Sequence, residues 1–113
     1  MECVFCRIIS GEIPTELLYQ DDEAVAFRDI HPQAPVHILV VPRKHVPTPG
    51  NLGEAEFTLI GKLARIAELL ARREGIAKRG YRLVMNVGED GTQIVPHLHM
   101  HLLGGRRLTD EMG

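Results

Sequence analysis

The sequence contains no tryptophan, and its aromatic volume rests on three Phe and two Tyr in 113 residues. A core without large rings must be assembled mostly from aliphatic side chains, and a domain of this length buries only about 65% of its unfolded surface. That combination forecasts marginal stability unless a metal or a second subunit contributes. Cysteine is scarce too: Cys3 and Cys6 are the only two, which excludes a disulfide-dense secreted scaffold. No apolar run approaches the roughly 20 residues of a bilayer-spanning helix. The first residues carry no basic segment followed by an apolar stretch, so no signal peptide is predicted and a cytoplasmic location is expected. Cationic charge is not in excess either. Thirteen Lys and Arg against fifteen Asp and Glu give a net charge of −2, which predicts neither a nucleic-acid surface nor a membrane partner.

What is present is a single domain's worth of alternating patterns. Residues 5–10 predict a short helix closed by Gly11, with Pro14 preventing continuation. Residues 17–20 and 24–29 flank the polar run Asp21-Asp22-Glu23, as in a hairpin, and Val25, Phe27 and Asp29 share one face. Residues 36–41 are apolar except for His37, the signature of a central strand covered on both faces. Asn51 and Glu54 have capping-box spacing, so a long helix is expected from 51 to Gly75. Its apolar stripe is Phe57, Ile60, Leu63, Ala64, Ala67, Leu70 and Ala71. Strands are predicted at 81–87 and 97–103. The whole is an α+β fold: a five-stranded, mostly antiparallel sheet with one long and one short helix.

Histidine is the surplus residue, with six in the chain. In strand geometry His97, His99 and His101 occupy one face, and Leu98, Met100 and Leu102 the other, with Cα atoms of successive imidazoles about 7 Å apart. A single such His would fit a solvated edge strand; three in strict alternation point to chemistry. Imidazole serves as metal ligand, proton carrier or nucleophile, and residue type alone does not choose among them. Cys3-Val4-Phe5-Cys6 is a C-x2-C pair, which fits a redox dithiol, half of a zinc site or two buried free thiols. No strand precedes it, against the thioredoxin-like arrangement. His45 and His97 could complete a tetrahedral Cys2His2 set.

The segment Pro96-His97-Leu98-His99-Met100-His101-Leu102-Leu103 resembles the signature of the histidine triad (HIT) superfamily, and the Hint branch of purine nucleoside phosphoramidases is the nearest match. Ala26-Phe27-Arg28-Asp29-Ile30, Pro32-Gln33-Ala34-Pro35, Val41-Pro42-Arg43-Lys44-His45, Asn86-Val87-Gly88-Glu89-Asp90-Gly91 and Leu103-Gly104-Gly105-Arg106 are similar to the same branch. The resemblance implies a single HIT domain over residues 1–107 with a tail at 108–113, and a homodimer whose sheet continues across the interface, with the long helix and the strand at 81–87 as contact elements. It implies His99 as nucleophile on the α-phosphorus of a purine nucleoside 5′-phosphoramidate, forming a nucleotidyl-histidine that water hydrolyses. His101 then contacts the phosphate, and His37 orients the cluster. Asp29 is the carboxylate for the ribose hydroxyls. Asn86 and Gly91 lie near the phosphate, and Val4, Phe5, Ile8 and Ile30 form the base walls. A structural zinc on Cys3, Cys6, His45 and His97 resembles that of some bacterial members; no organic cofactor is implied.

The chain departs from the family in two places. Ile94 follows Gln93 where a serine is common, removing a hydroxyl near the leaving group. The tail lacks the aromatic extension of the animal enzymes. Two other functions therefore remain open at this stage: a dinucleoside polyphosphate hydrolase or nucleotidylyl transferase using the same histidine, and a nucleotide-binding regulatory module with little turnover.

Overall fold

The computed structural model describes residues 3–113. Its elements in chain order are α1 (Val4–Ile9), β1 (Tyr19–Gln20), β2 (Ala24–Arg28), β3 (Val36–Pro42), α2 (Thr58–Arg73), β4 (Tyr81–Val84) and β5 (Met100–Gly104). The strands form one sheet in the order β1-β2-β3-β5-β4. Every pairing is antiparallel, so the expected α+β class holds and the sheet is antiparallel throughout.

The two-residue period sorts the sheet's faces. Ala24, Ala26, Ile38, Val40, Met100 and Leu102 point to one side, where Leu63, Ile66, Ala67, Leu70 and Ala71 of α2 cover them. Val25, Phe27, Leu39 and Val41 point to the other, where Cys3 and Phe5 of the N-terminal segment pack. Burial on both faces is why β3 is apolar along nearly its whole length. The hairpin of β1 and β2 is closed by Asp21, whose Oδ1 accepts from the amides of Glu23 and Ala24 at 2.8 and 2.9 Å.

Three boundaries differ from the sequence expectation by three residues or more. The long helix begins at Thr58 rather than 51, after two short 3-10 turns at Pro49–Asn51 and Glu54–Phe57. Asn51 does not pair with Glu54: its Oδ1 accepts from the Thr48 amide at 3.2 Å, and Glu56 Oε1 accepts from the Gly53 amide at 2.9 Å. Phe57 thereby lies ahead of the helix and half exposed, while Ile66 joins the buried stripe. The helix end is as expected. Gly75 takes φ +75°, its amide donates to Arg72 O and the Ile76 amide donates to Ala71 O, a Schellman closure sealed by buried Ile76.

The last strand begins at Met100 rather than His97. The amides of His97 and Leu98 are diverted to Val95 O and Val46 O, and His97 O is taken by the side chain of His99. The ladder with β3 therefore starts at Met100 opposite Val40. β4 stops at Val84, opposite His101, one residue short of the start of β5. The alternation of faces survives this loss of ladder: Leu98 enters the α2-side core, and the ring of His99 packs against Phe5 on the opposite side.

Candidate active site

β5 lies between β3 and β4, inside the sheet rather than at its edge. His99, just ahead of it, and His101, within it, present their rings 5.0 Å apart, centroid to centroid. His37 on β3 stands opposite Leu103, with its ring 5.1 Å from that of His101. Asp29 follows β2, and its Oδ2 is 3.4 Å from His37 Nε2. Phe5 closes the near wall, its ring edge-on to His99 with centroids 5.1 Å apart. Three strands and α1 thus bring Asp29, His37, His99, His101 and Phe5 together.

Backbone groups fix where the protons lie. The Gln33 amide donates to His37 Nδ1 at 3.0 Å, so that nitrogen carries a lone pair and the proton sits on Nε2. His37 Nε2 then donates to His101 Nδ1 at 2.9 Å. The proton of His101 is left on Nε2, the buried side-chain nitrogen that has no hydrogen-bond partner among the described residues. On the next histidine the order reverses. His99 Nδ1 lies 2.7 Å from His97 O, a carbonyl that can only accept, so Nδ1 carries the proton and Nε2 the lone pair. His99 is only 6% exposed. The site therefore holds a lone-pair nitrogen on one imidazole and, on the ring 5.0 Å away, an N–H donor without a partner among the described residues, a pairing able to support nucleophilic chemistry.

Burial favours the neutral form of His37 and His101. Burial pushes the pKa of His37 down, against the attraction of the Asp29 carboxylate. His101 is pushed down to about 4, first by burial and then by the neighbouring His99 and His37, with Asp29 opposing. Hydrogen bonds occupy both ring nitrogens of His37, so Asp29, His37 and His101 form a hydrogen-bonded chain in which His37 has no lone pair free for a metal.

His97 belongs to a different grouping. Its Nε2 donates to Pro42 O at 2.8 Å, so its Nδ1 carries a lone pair. That nitrogen lies 3.3 Å from Cys3 Sγ, 3.6 Å from Cys6 Sγ and 3.1 Å from His45 Nδ1, and Cys6 Sγ is 3.4 Å from His45 Nδ1. A tetrahedral ion with M–S about 2.3 Å and M–N about 2.0 Å sets its donors roughly 3.3–3.8 Å apart. The four donor atoms lie within 4.8 Å of one another and so form a cluster able to hold a metal ion. Burial and the adjacent Cys3 thiol push the Cys6 thiol pKa upward, and a cation reverses that pressure. Cys3 also caps α1, its Sγ accepting from the Cys6 amide at 3.4 Å.

The remaining expected residues are less tightly gathered. Val4 and Ile30 are exposed, Ile30 at 86%, while Ile8 is half-buried. Asn86 and Gly91 lie in the connection after β4, where a Cβ on Gly91 would stand 2.4 Å from Val87 O. Among the described residues no hydrogen bond or ring contact joins these five to the histidines. Ile94 is 90% exposed. Several contributors were not assigned roles from sequence: Gln33 and the carbonyls of Pro42 and His97 act through the backbone, which leaves no residue-type signal. Gln93 ties its loop together: its Nε2 donates to Pro47 O and Val95 O, and its Oε1 accepts from the Gly88 amide.

The antiparallel sheet thus brings together an imidazole whose Nε2 carries a lone pair and, on a neighbouring ring, an N–H with no partner among the described residues. The HIT domain family profile matches residues 10–108. Purine nucleoside phosphoramidase of Escherichia coli K12 is 49% identical over 107 residues, covering 95% of this chain and 90% of that protein. A HIT family hydrolase from Legionella pneumophila Philadelphia 1 superposes with a TM-score of 0.95 at 45% identity, covering 99% of this chain and all of the other. A histidine triad protein from Clostridium difficile gives 0.94 at 40% identity, covering 98% and 96%. The chain belongs to the HIT domain family and is a histidine triad hydrolase.

Proposed function

We propose that the chain hydrolyses the P–N bond of purine nucleoside 5′-phosphoramidates. One observation carries this reading: the His99 ring, with its lone pair on Nε2, lies 5.0 Å centroid to centroid from the His101 ring, whose Nε2–H has no partner among the described residues. His99 Nε2 attacks the α-phosphorus, a new P–N bond forms to the imidazole, and the bond to the amine breaks as the amine takes a proton from solvent, which regains one from the water that attacks in the second step. Water then attacks the same phosphorus, the bond to His99 breaks, and the nucleoside monophosphate departs. The His101 N–H stabilises charge on the phosphoryl oxygens. His37 holds His101 in the donating tautomer. Asp29, half-buried at the end of β2, is the acceptor for the ribose hydroxyls. Val4, Phe5, Ile8 and Ile30 wall the purine, and Asn86 and Gly91 flank the phosphate. The similarity to purine nucleoside phosphoramidase supports the substrate class.

Cys3, Cys6, His45 and His97 would hold a structural zinc; with four protein donors it would tie α1 to the approach of β5 and supply no open position for the reaction. The working unit is a homodimer. The unpaired edge of β4, with Leu83 exposed on it, supports continuation of the sheet into a second subunit, flanked by α2. No helix among the described residues is long and apolar enough to cross a membrane, and we assign the protein to the cytoplasm. The activity is tested by incubating native protein and His99→Ala with adenosine 5′-phosphoramidate, diadenosine tetraphosphate and a reporter amine conjugate. Rapid cleavage of the phosphoramidates by the native protein alone is expected. Faster cleavage of the tetraphosphate would make the chain a dinucleoside polyphosphate hydrolase, and nucleotide binding without turnover would make it a regulatory module.

A further inference from the structure

The loop between β2 and β3 is held from a point remote from the reacting nitrogen. Arg106, two residues beyond β5, donates from Nη2 to Gln33 O at 3.0 Å and from Nη1 to Arg107 O at 3.1 Å. Beside it Gly105 takes φ +93°, and a Cβ there would stand 2.9 Å from Pro35 Cβ. The Gly105-Arg106 backbone therefore lies flush against the loop, in a conformation a side chain would oppose. The amide of the same Gln33 donates to His37 Nδ1 at 3.0 Å, and His37 Nε2 passes its proton toward His101 Nδ1 at 2.9 Å. Three hydrogen bonds thus connect an exposed guanidinium to the phosphate-facing imidazole.

We propose that Arg106 is a positioning residue of the active site: by clamping Gln33 it keeps the Gln33 amide on His37 Nδ1 and so keeps the proton of His101 on Nε2. Arg106 touches neither imidazole and takes no part in bond making. The groups facing His37 are Asp29 at 3.4 Å and His101, with the ring of His99 behind His101. The Asp29 carboxylate favours protonation of His37; the Gln33 amide opposes it by occupying the lone pair that would take the proton. When Gln33 is released, two other forms of His37 become accessible. One is the imidazolium. The other is the Nδ1–H tautomer, which accepts from His101 and turns a lone pair, instead of an N–H, toward the phosphate.

The proposal rests on the phosphoramidase reading for its kinetic consequence only. The experiment compares full-length wild type, Arg106→Ala, Arg106→Lys and Arg107→Ala. The last removes a neighbouring positive charge while sparing the bond to Gln33. Two-bond proton–nitrogen spectra of histidine-labelled protein without substrate give the tautomers directly. Wild type and Arg107→Ala should hold His37 and His101 in the Nε2–H form. Arg106→Ala should mix the tautomers of His37 and raise the pH at which it protonates, and Arg106→Lys should restore much of the wild-type pattern. With adenosine 5′-phosphoramidate, kcat of Arg106→Ala should fall about tenfold with KM little changed, its acid limb moved to higher pH. If Arg106→Ala does not fold, Arg106→Met carries the same prediction, since it keeps an apolar stem and has no donor. Unchanged tautomers and protonation midpoint in a folded donorless variant overturn the clamp. Altered tautomers in a protein without phosphoramidase activity would leave the clamp standing and remove the substrate assignment.

Discussion

His97 and His99 are two residues apart on one face of one strand approach, yet their surroundings give them opposite tasks. Around His97 the near groups are two thiols and a second imidazole, and the Pro42 carbonyl fixes its proton on Nε2, so Nδ1 faces the sulfurs. Around His99 the near groups are an aromatic ring and a neutral imidazole, and the His97 carbonyl fixes its proton on Nδ1, leaving Nε2 free. The tautomer, set in each case by one backbone carbonyl, separates the proposed ligand from the proposed nucleophile. A metal held at the first histidine would also steady the peptide whose carbonyl orients the second.

The largest effect expected from breaking this contrast is at the nucleophile. His99→Ala should lower phosphoramidase turnover by at least about 10⁴-fold while leaving metal content and thermal melting unchanged. His101→Ala removes the N–H donor and should cost about 10²- to 10³-fold in kcat, with metal again retained. On the other side of the contrast the signs reverse. Metal analysis of native protein should give about one zinc per chain, and Cys6→Ser or a strong chelator should remove it and lower Tm by roughly 10 °C or more. Activity per folded molecule should then fall far less than in His99→Ala. Absence of zinc, with both thiols free in native protein, would remove the metal half of the comparison.

A smaller effect follows from the low pKa of His101 and, in the same direction, of His37. Unfolded imidazoles take up protons near 6.5, while folded His101 does so only near about 4. Between those values the unfolded state binds more protons, so stability rises with pH and is lost progressively on acidification through that window. Urea melts at stepped pH check this, and His101→Asn should flatten the slope. The smallest effect is at Ile94. Ile94→Ser restores a hydroxyl and should change the preference among amine leaving groups by roughly tenfold or less, measured as kcat/KM for paired substrates.

Much of this was legible from residue order. Alternation placed His97, His99 and His101 opposite Leu98, Met100 and Leu102, and it did so correctly even where the ladder is absent, because burial on two faces enforces the period. The Cys3–Cys6 spacing with His45 and His97 identified four residues that fold into one cluster. Where the sequence expectation went astray, the deciding group was on the backbone. Asn51 has capping spacing to Glu54 yet turns back to Thr48, because two 3-10 turns precede α2. His97 O is spent on an imidazole and so shortens β5. The tautomers depend on Pro42 O, His97 O and the Gln33 amide, whose placement follows from register and loop path rather than from side-chain identity.

The most direct test of the division between His97 and His99 is to locate the covalent intermediate. Native protein quenched during turnover of adenosine 5′-phosphoramidate, denatured without acid and digested, should carry the nucleotidyl group on the His99 ring. The His97 side chain should carry none. A nucleotidyl group found on His97 or His101, or turnover continuing in His99→Ala, would contradict the account.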